Sequence, residues 1–376
     1  MDALHDLPPA DPRPPRPAAG VAWKGGAVMA RLLNGKTWSL VALLVAGGLL
    51  PIFVQDTYLR HLFIMAFIYG VVAASWDLTL GYAGIFNFAH IAFFGVGVYA
   101  TGLTAKLLGI DPWVAMLVGG FAASLAAAIV ALPVVRLQGV YVVLVTVAFS
   151  QLMLQLVISQ SQITGGTLGL VSVPTIHLPG YNFLRDYKFG YYYVAFGLLV
   201  VATLSLRLLA RSDFGLSIKA LRDSEQYAVS RGIPIAGQRL KALVASAFFA
   251  GLAGGFYVIY LRVASPEIFY FSTSSLVLSM VLVGGTSTIY GPIFAAIVLT
   301  FISEGLANIE NFAEGRFMLI AAAMIVVLVF FPKGLASVLP RALLRSRNKR
   351  HGGDEREREG ARLPNDQKGE AEQPAT

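Results

Sequence analysis

Long apolar runs alternate along the chain with short polar connections. A helix crossing a hydrocarbon core about 30 Å thick needs about 20 apolar residues. About ten runs approach that length, at 38–54, 61–80, 83–105, 112–132, 139–159, 191–210, 242–261, 274–286, 290–307 and 317–331. The pattern predicts an all-α polytopic transmembrane helix bundle of about 8–10 spans. The run 274–286 is too short for a full crossing and predicts a re-entrant or broken helix around Gly284 and Gly285.

The longest polar interruption, residues 211–241, reads RSDFGLSIKALRDSEQYAVSRGIPIAGQRLK. Ser212 or Asp213 is placed to cap a helix by accepting bonds from its free N–H groups. Gly232 is placed to stop that helix in the left-handed conformation other residues resist, and Pro234 cannot continue it. Between them Ser217, Ile218, Leu221, Ser224, Ala228 and Gly232 fall on one helical face, and Lys219, Arg222, Asp223, Gln226 and Ser230 on the other. Ile233, just past the stop, is expected to pack back on Ala228 and fix the exit angle. Two readings stay open. The run is a solvated loop whose Lys and Arg merely set orientation, or a short helix whose small, partly apolar face fits a groove on another protein.

Composition narrows the class. Of 376 residues, 56% are apolar, and the mean hydropathy is +0.67, outside the range of soluble domains. The net charge of +8 lies in connections beside spans, where membrane orientation explains it, and no nucleic-acid-binding motif accompanies it. The absence of cysteine excludes disulfides, thiolate metal ligands and a cysteine nucleophile. The five histidines are scattered without paired spacing, which argues against a metal site. With the N-terminus in the cytosol, Arg31, Lys36, Arg136, the whole 211–241 run, Lys333 and the Arg341 to Arg350 cluster face inward. Outward connections then carry mixed or acidic charge: Asp56 with Arg60, Lys106 with Asp111, Arg185 with Asp186 and Lys188, and Glu310 with Glu314 and Arg316. The expected organisation is a disordered proline-rich tail (1–37), a transmembrane domain (38–335) that includes the 211–241 loop, and a charged disordered tail (336–376). The first apolar run starts too far in for an ordinary signal peptide and reads as an uncleaved anchor.

Several motifs carry no chemistry. Gly35-Lys36-Thr37 resembles the end of a phosphate-binding loop, but Ala30 stands where the first glycine is needed and no strand precedes it. Ser150, Ser159 and Ser161 lie in no nucleophile-elbow context. Gly95 and Gly97 sit within a span, where close helix packing explains them. Ala247, Gly251 and Gly255, with Ala250 and Gly254 beside them, form a small-residue stripe for packing within the chain or at a subunit interface.

Other motifs are informative by their order. Gly81-Tyr82-Ala83-Gly84 leads through Ile85-Phe86-Asn87-Phe88-Ala89-His90 to Gly95-Val96-Gly97. Arg136-Leu137-Gln138-Gly139-Val140-Tyr141, with Thr146, comes next, followed by Thr164-Gly165-Gly166-Thr167-Leu168-Gly169-Leu170. Glu225, six residues and Gly232-Ile233 then precede Ala247 to Gly254. Ser265-Pro266, Gly284-Gly285, Gly291-Pro292 and Phe331-Pro332-Lys333-Gly334-Leu335 close the series. This order resembles the inner-membrane permeases of bacterial branched-chain amino-acid ABC importers, specifically the larger, Liv M-type subunit, from about Gly70 to Leu335.

The resemblance implies a coupling loop that docks on an ATPase, carried here by Glu225, Ala228, Gly232, Ile233 and Pro234. Tyr227 stands where an alanine is common. It also implies a second, Liv H-type permease, two cytosolic ABC ATPases that bind the ATP, a periplasmic substrate-binding protein, and a multi-pass location in the bacterial inner membrane. The chain itself is expected to hold no cofactor and to catalyse nothing. Phe86 to His90, Leu168 and Ser287 depart from the family's usual residues and bear on the substrate, since related permeases carry urea, short amides and other amino acids.

Two ionisable residues fall inside spans. Asp77 lies near the inner end of its run. His90 lies deeper, where a polar group must face protein or a cavity. Asn87, His90 and Phe94 are spaced three and four apart and are expected to share a helix face lining the substrate path. A structural hydrogen bond between helices is the other reading of His90. An ion-coupled secondary transporter, with Asp77 as its carboxylate, and a membrane enzyme with His90 as base are the rival functions.

Overall fold

The computed structural model describes residues 47, 48, 51, 56–176 and 187–307. The chain divides into Met1–Leu50, of which Gly47 and Gly48 are described, and Pro51–Thr376, which holds the helical body. The run at 317–331 and both tails lie outside the described residues, as does the run at 38–54 apart from Gly47, Gly48 and Pro51.

Each of the eight other apolar runs contains a helix. In chain order the elements are α1 (Thr57–Asp77), a wider π turn (Leu78–Tyr82), α2 (His90–Leu107), α3 (Pro112–Val134), α4 (Val140–Ser159), α5 (Ser161–Thr164), β1 (Leu170–Val171), α6 (Tyr187–Arg211), α7 (Asp213–Asp223), α8 (Glu225–Ser230), α9 (Ile235–Leu261), β2 (Val263–Ala264), α10 (Phe271–Gly284) and α11 (Tyr290–Ala307). Among the described residues five helices are long and apolar enough to cross a bilayer: α1 with its π turn, α3, α4, α6 and α9. α10 and α11 are shorter apolar helices. At 14 residues and a rise of about 1.5 Å each, α10 spans about 21 Å, short of the core thickness.

α1 and α9 form the centre. Both are apolar all round, as a helix enclosed by others must be, and both are largely buried. α3, α4 and α6 stand outside them and turn Phe121, Leu125, Ile129, Leu152, Val201 and Leu208 outward. The small-residue stripe of α9 is used within the chain. A Cβ on Gly97 of α2 would lie 2.4 Å from the Gly251 carbonyl, and one on Gly251 would lie 2.5 Å from Ala123 of α3. Only at such positions do helix backbones come close enough to pack by direct van der Waals contact.

The helix ends collect at two poles. At one, β1 and β2 pair antiparallel, with Leu170 opposite Ala264 and Val171 opposite Val263. Lys106 at the end of α2 donates to the Val171 carbonyl (2.8 Å), and His61 of α1 meets the Tyr260 hydroxyl of α9 (2.6 Å). At the other pole Gln138, before α4, meets Glu225 (3.3 Å), and Arg207 of α6 bonds Tyr290 at the start of α11. The 211–241 run lies at this second pole.

Candidate functional site

The polar run folds as two helices where one continuous helix was expected. Ser212 caps α7, its hydroxyl accepting the Gly215 N–H at 3.4 Å. After Asp223, Ser224 leaves helical geometry (φ −159°, ψ 103°) and its Oγ accepts the Tyr227 N–H at 3.4 Å, opening α8. A serine in mid-helix competes for nearby amides, and here it starts a new helix instead of continuing the old one. Gly232 ends α8 at φ +80°. Its N–H donates to the Val229 carbonyl (2.8 Å), and the Ile233 N–H reaches back to the Ala228 carbonyl (3.1 Å). A Cβ on Gly232 would meet open space, so the demand for glycine there is conformational. Pro234 is extended and leads into α9.

Ile218, Leu221 and Ala228 form the buried side of this unit. Glu225 pins it: one carboxylate oxygen accepts from Arg239 of α9 at 2.9 Å, the other from Gln138 at 3.3 Å. The unit also carries exposed apolar residues, Leu216 at 61%, Tyr227 at 58% and Val229 at 47% of their surface. A cleft of about 350 Å³ lies beside it, lined by Gly84, Phe86, Gln138, Arg222, Ser224 and Glu225 among others.

Two helix breaks lie next to the loop. The first corrects the run 83–105, whose helix begins only at His90. The Asn87 side chain accepts the Ala89 N–H at 2.9 Å in a local turn. Thr146 Oγ1 of α4 accepts the Phe88 N–H (3.1 Å), and Ser150 Oγ donates to the Phe88 carbonyl (3.2 Å). Non-helical backbone inside an apolar body is stable where side chains satisfy it in this way. Asn87 therefore precedes α2 and does not share its face with His90 and Phe94. All three are buried in this chain. His90 Nε2 lies 3.0 Å from Ser75 Oγ, a hydrogen bond that joins α2 to α1, and Ser75 Oγ also reaches the Val72 carbonyl. The His90 ring stacks on Trp76 at 5.3 Å.

The second break is the elbow at 285–289 between α10 and α11, where Gly285 (φ +96°), Ser287 (φ +63°) and Ile289 (φ +57°) all have positive φ. Asp77 holds it. One carboxylate oxygen accepts the Ser287 N–H (2.7 Å), the other the N–H groups of Thr288 (3.0 Å) and Ile289 (3.1 Å). These amides precede α11 and lack helical partners, so the carboxylate caps that helix from a distant part of the chain.

Residues 58–329 match the family described as "Branched-chain amino acid transport system / permease component". The chain belongs to this family. It is a multi-pass membrane protein of the permease-component class. It is 28% identical to the high-affinity branched-chain amino acid transport system permease protein LivM of Escherichia coli over 317 residues, 79% of this chain and 74% of the relative. The LivM protein of Salmonella typhimurium is 27% identical, over 72% of this chain and 68% of the relative. A probable branched-chain amino acid transport permease protein LivM of Methanocaldococcus jannaschii is 24% identical, over 73% and 91%. No solved structure matches significantly. For a permease of this family the structure adds residues whose grouping the sequence pattern did not single out: Gln138, Arg239, Asp77, Ser287 and Arg222. Apart from Arg239, which lies 14 residues from Glu225, each acts across a long separation in sequence, with no local spacing to mark it.

Proposed function

We propose that this chain is the translocation subunit of an ATP-driven importer for branched-chain or closely related amino acids in a bacterial inner membrane. It pairs with a second, Liv H-type permease, two cytosolic ATPases that bind the ATP, and a periplasmic substrate-binding protein. The observation that carries this reading is the α7–α8 unit. It is a capped, pinned pair of helices at one pole, and it leaves Leu216, Tyr227 and Val229 exposed. Apolar side chains grouped outside the spans mark a surface that another protein covers. The relatives' names supply the substrate class. Both oxygens of Asp77 are bonded to backbone amides, a structural use of the carboxylate that counts against the ion-coupled alternative.

The test is reconstitution. The purified chain is expected to hydrolyse no ATP alone. Together with its partner permease, the ATPases and the binding protein in proteoliposomes, it is expected to take up leucine, isoleucine or valine only with ATP present. ATP-independent uptake that follows a proton or sodium gradient would sink the proposal. ATP-driven uptake of urea or a short amide in place of these amino acids would keep the importer and replace the substrate.

A further inference from the structure

Arg222 sits near the end of α7, yet its side chain leaves the loop. The stem lies across the Gly84 backbone, where a Cβ on Gly84 would fall 2.6 Å from the arginine Cγ. Beyond it the guanidinium donates through one nitrogen to both the Gly81 carbonyl and Ser287 Oγ. Its other nitrogens donate to the neighbouring Asp223 at 3.1 and 2.9 Å. Ser287 Oγ itself donates to the Gly81 carbonyl at 2.8 Å. Asp77, one turn before Gly81, holds the Ser287 amide. Gly81 has to lack a side chain for this to close, because a Cβ there would lie 2.0 Å from Asp77 Oδ1 and 2.4 Å from the Ser287 nitrogen.

Three pieces of chain thus meet at one guanidinium: the π turn that ends α1, the elbow between α10 and α11, and the loop helix α7. The first two depart from regular helix. A π turn is an insertion in the regular ladder, found mostly at functional positions. The elbow holds Ser287 and Ile289 in left-handed backbone that L-residues resist, which persists only when surrounding contacts enforce it. An arginine suits the junction because its planar fork holds several acceptors at once in fixed geometry.

We propose that Arg222 is a positioning residue that ties the docking helices to both helix breaks, so that a displacement imposed on α7 and α8 carries the elbow and the end of α1 with it. This deepens the importer reading and rests on it for the source of the displacement. The tie itself is a property of this chain alone.

Two measurements test it. The chain has no native cysteine, and Lys219 on α7 and Thr286 on the elbow are both exposed. Spin labels at Lys219→Cys and Thr286→Cys are expected to give one narrow distance distribution in the otherwise unaltered chain. It should broaden with Arg222→Ala, broaden less with Arg222→Lys, which keeps the charge but loses the fork, and broaden with Ser287→Ala, which removes one arm. In the reconstituted complex Arg222→Ala is expected to bind the ATPases normally and hydrolyse ATP, but to lower uptake per ATP about tenfold, the factor that corresponds to one charge-assisted bond at the low end of its range. A distribution as narrow in Arg222→Ala as in the parent, or an unchanged number of ATP molecules per substrate, would overturn the proposal. Loss of ATPase binding in Arg222→Ala would also overturn it, by making the residue part of the docking surface. The label measurement needs no transport, so it decides the tie even if the parent complex imports nothing, a result that counts against the importer reading alone.

Discussion

Gly232 shows how far one residue constrains the α7–α8 loop. Its φ of +80° is a conformation that costs an L-residue about 1–2 kcal/mol, and a β-branched side chain is among the worst placed to adopt it. Nothing lies within 4 Å of its missing Cβ, so the demand for glycine is conformational and the effect of Gly232→Val is expected at the turn between α8 and α9. That turn holds the Ile233 amide on the Ala228 carbonyl. We expect Gly232→Val to insert in the membrane at parental levels while uptake falls several-fold and ATP hydrolysis loses its dependence on loaded binding protein. Uptake and coupled hydrolysis equal to the parent's would remove the loop from the mechanism. This residue was legible in the sequence because its conformation follows from a glycine ahead of an Ile-Pro pair. Asp77 was visible only as an anomaly, a carboxylate in an apolar run. Its partners are backbone amides more than two hundred residues away, and backbone amides carry no sequence signature.

At the scale of elements, hydropathy located the helices well and their interruptions unevenly. The elbow was marked by Gly284-Gly285, and α10 does end at Gly284. The break before α2 was hidden. Ile85, Phe86 and Phe88 keep the run apolar, and the groups that satisfy its backbone, Thr146 and Ser150, belong to α4. The break also moves Asn87 off the helix of His90 and Phe94, into the turn that precedes it. The three residues bear on the substrate path only if that turn opens. The exposed stripe of α4 offers a comparison, since Ala148, Gln151, Gln155 and Ser159 recur at helical spacing and face outward. Glutamine amides find no hydrogen-bond partners in lipid. In the working complex, single cysteines at 87, 90 and 94 are expected to resist a water-soluble thiol reagent at rest and to react once ATP and loaded binding protein are added, while Gln151→Cys reacts throughout. Inertness at 87, 90 and 94 in every state of a complex that transports would assign the turn to packing between α1, α2 and α4.

For the whole molecule, the decisive property is which pole faces which compartment. Charge placed the 211–241 run and Arg136 together and set Lys106 apart, and the fold agrees: Gln138 and Glu225 meet at one pole, Lys106 and Val171 at the other. Long-range geometry of that kind was legible because orientation is an electrostatic sum over many Lys and Arg residues and survives errors at any one span boundary. The proposed absolute direction rests on the same rule, which puts the α7–α8 pole in the cytosol. Leu168, 86% exposed near the ribbon pole, and Tyr227, 58% exposed on α8, are good reporters. In intact cells Leu168→Cys is expected to react with a membrane-impermeant thiol reagent once the outer membrane is opened. Tyr227→Cys should react only in inside-out vesicles, and added ATPase should then shield it, because the docking surface would be covered. The reverse pattern would place the α7–α8 unit outside the cell, beyond reach of any ATPase, and would end the importer reading. Labelling at 227 that added ATPase leaves unchanged would keep the topology and move the docking site off α8.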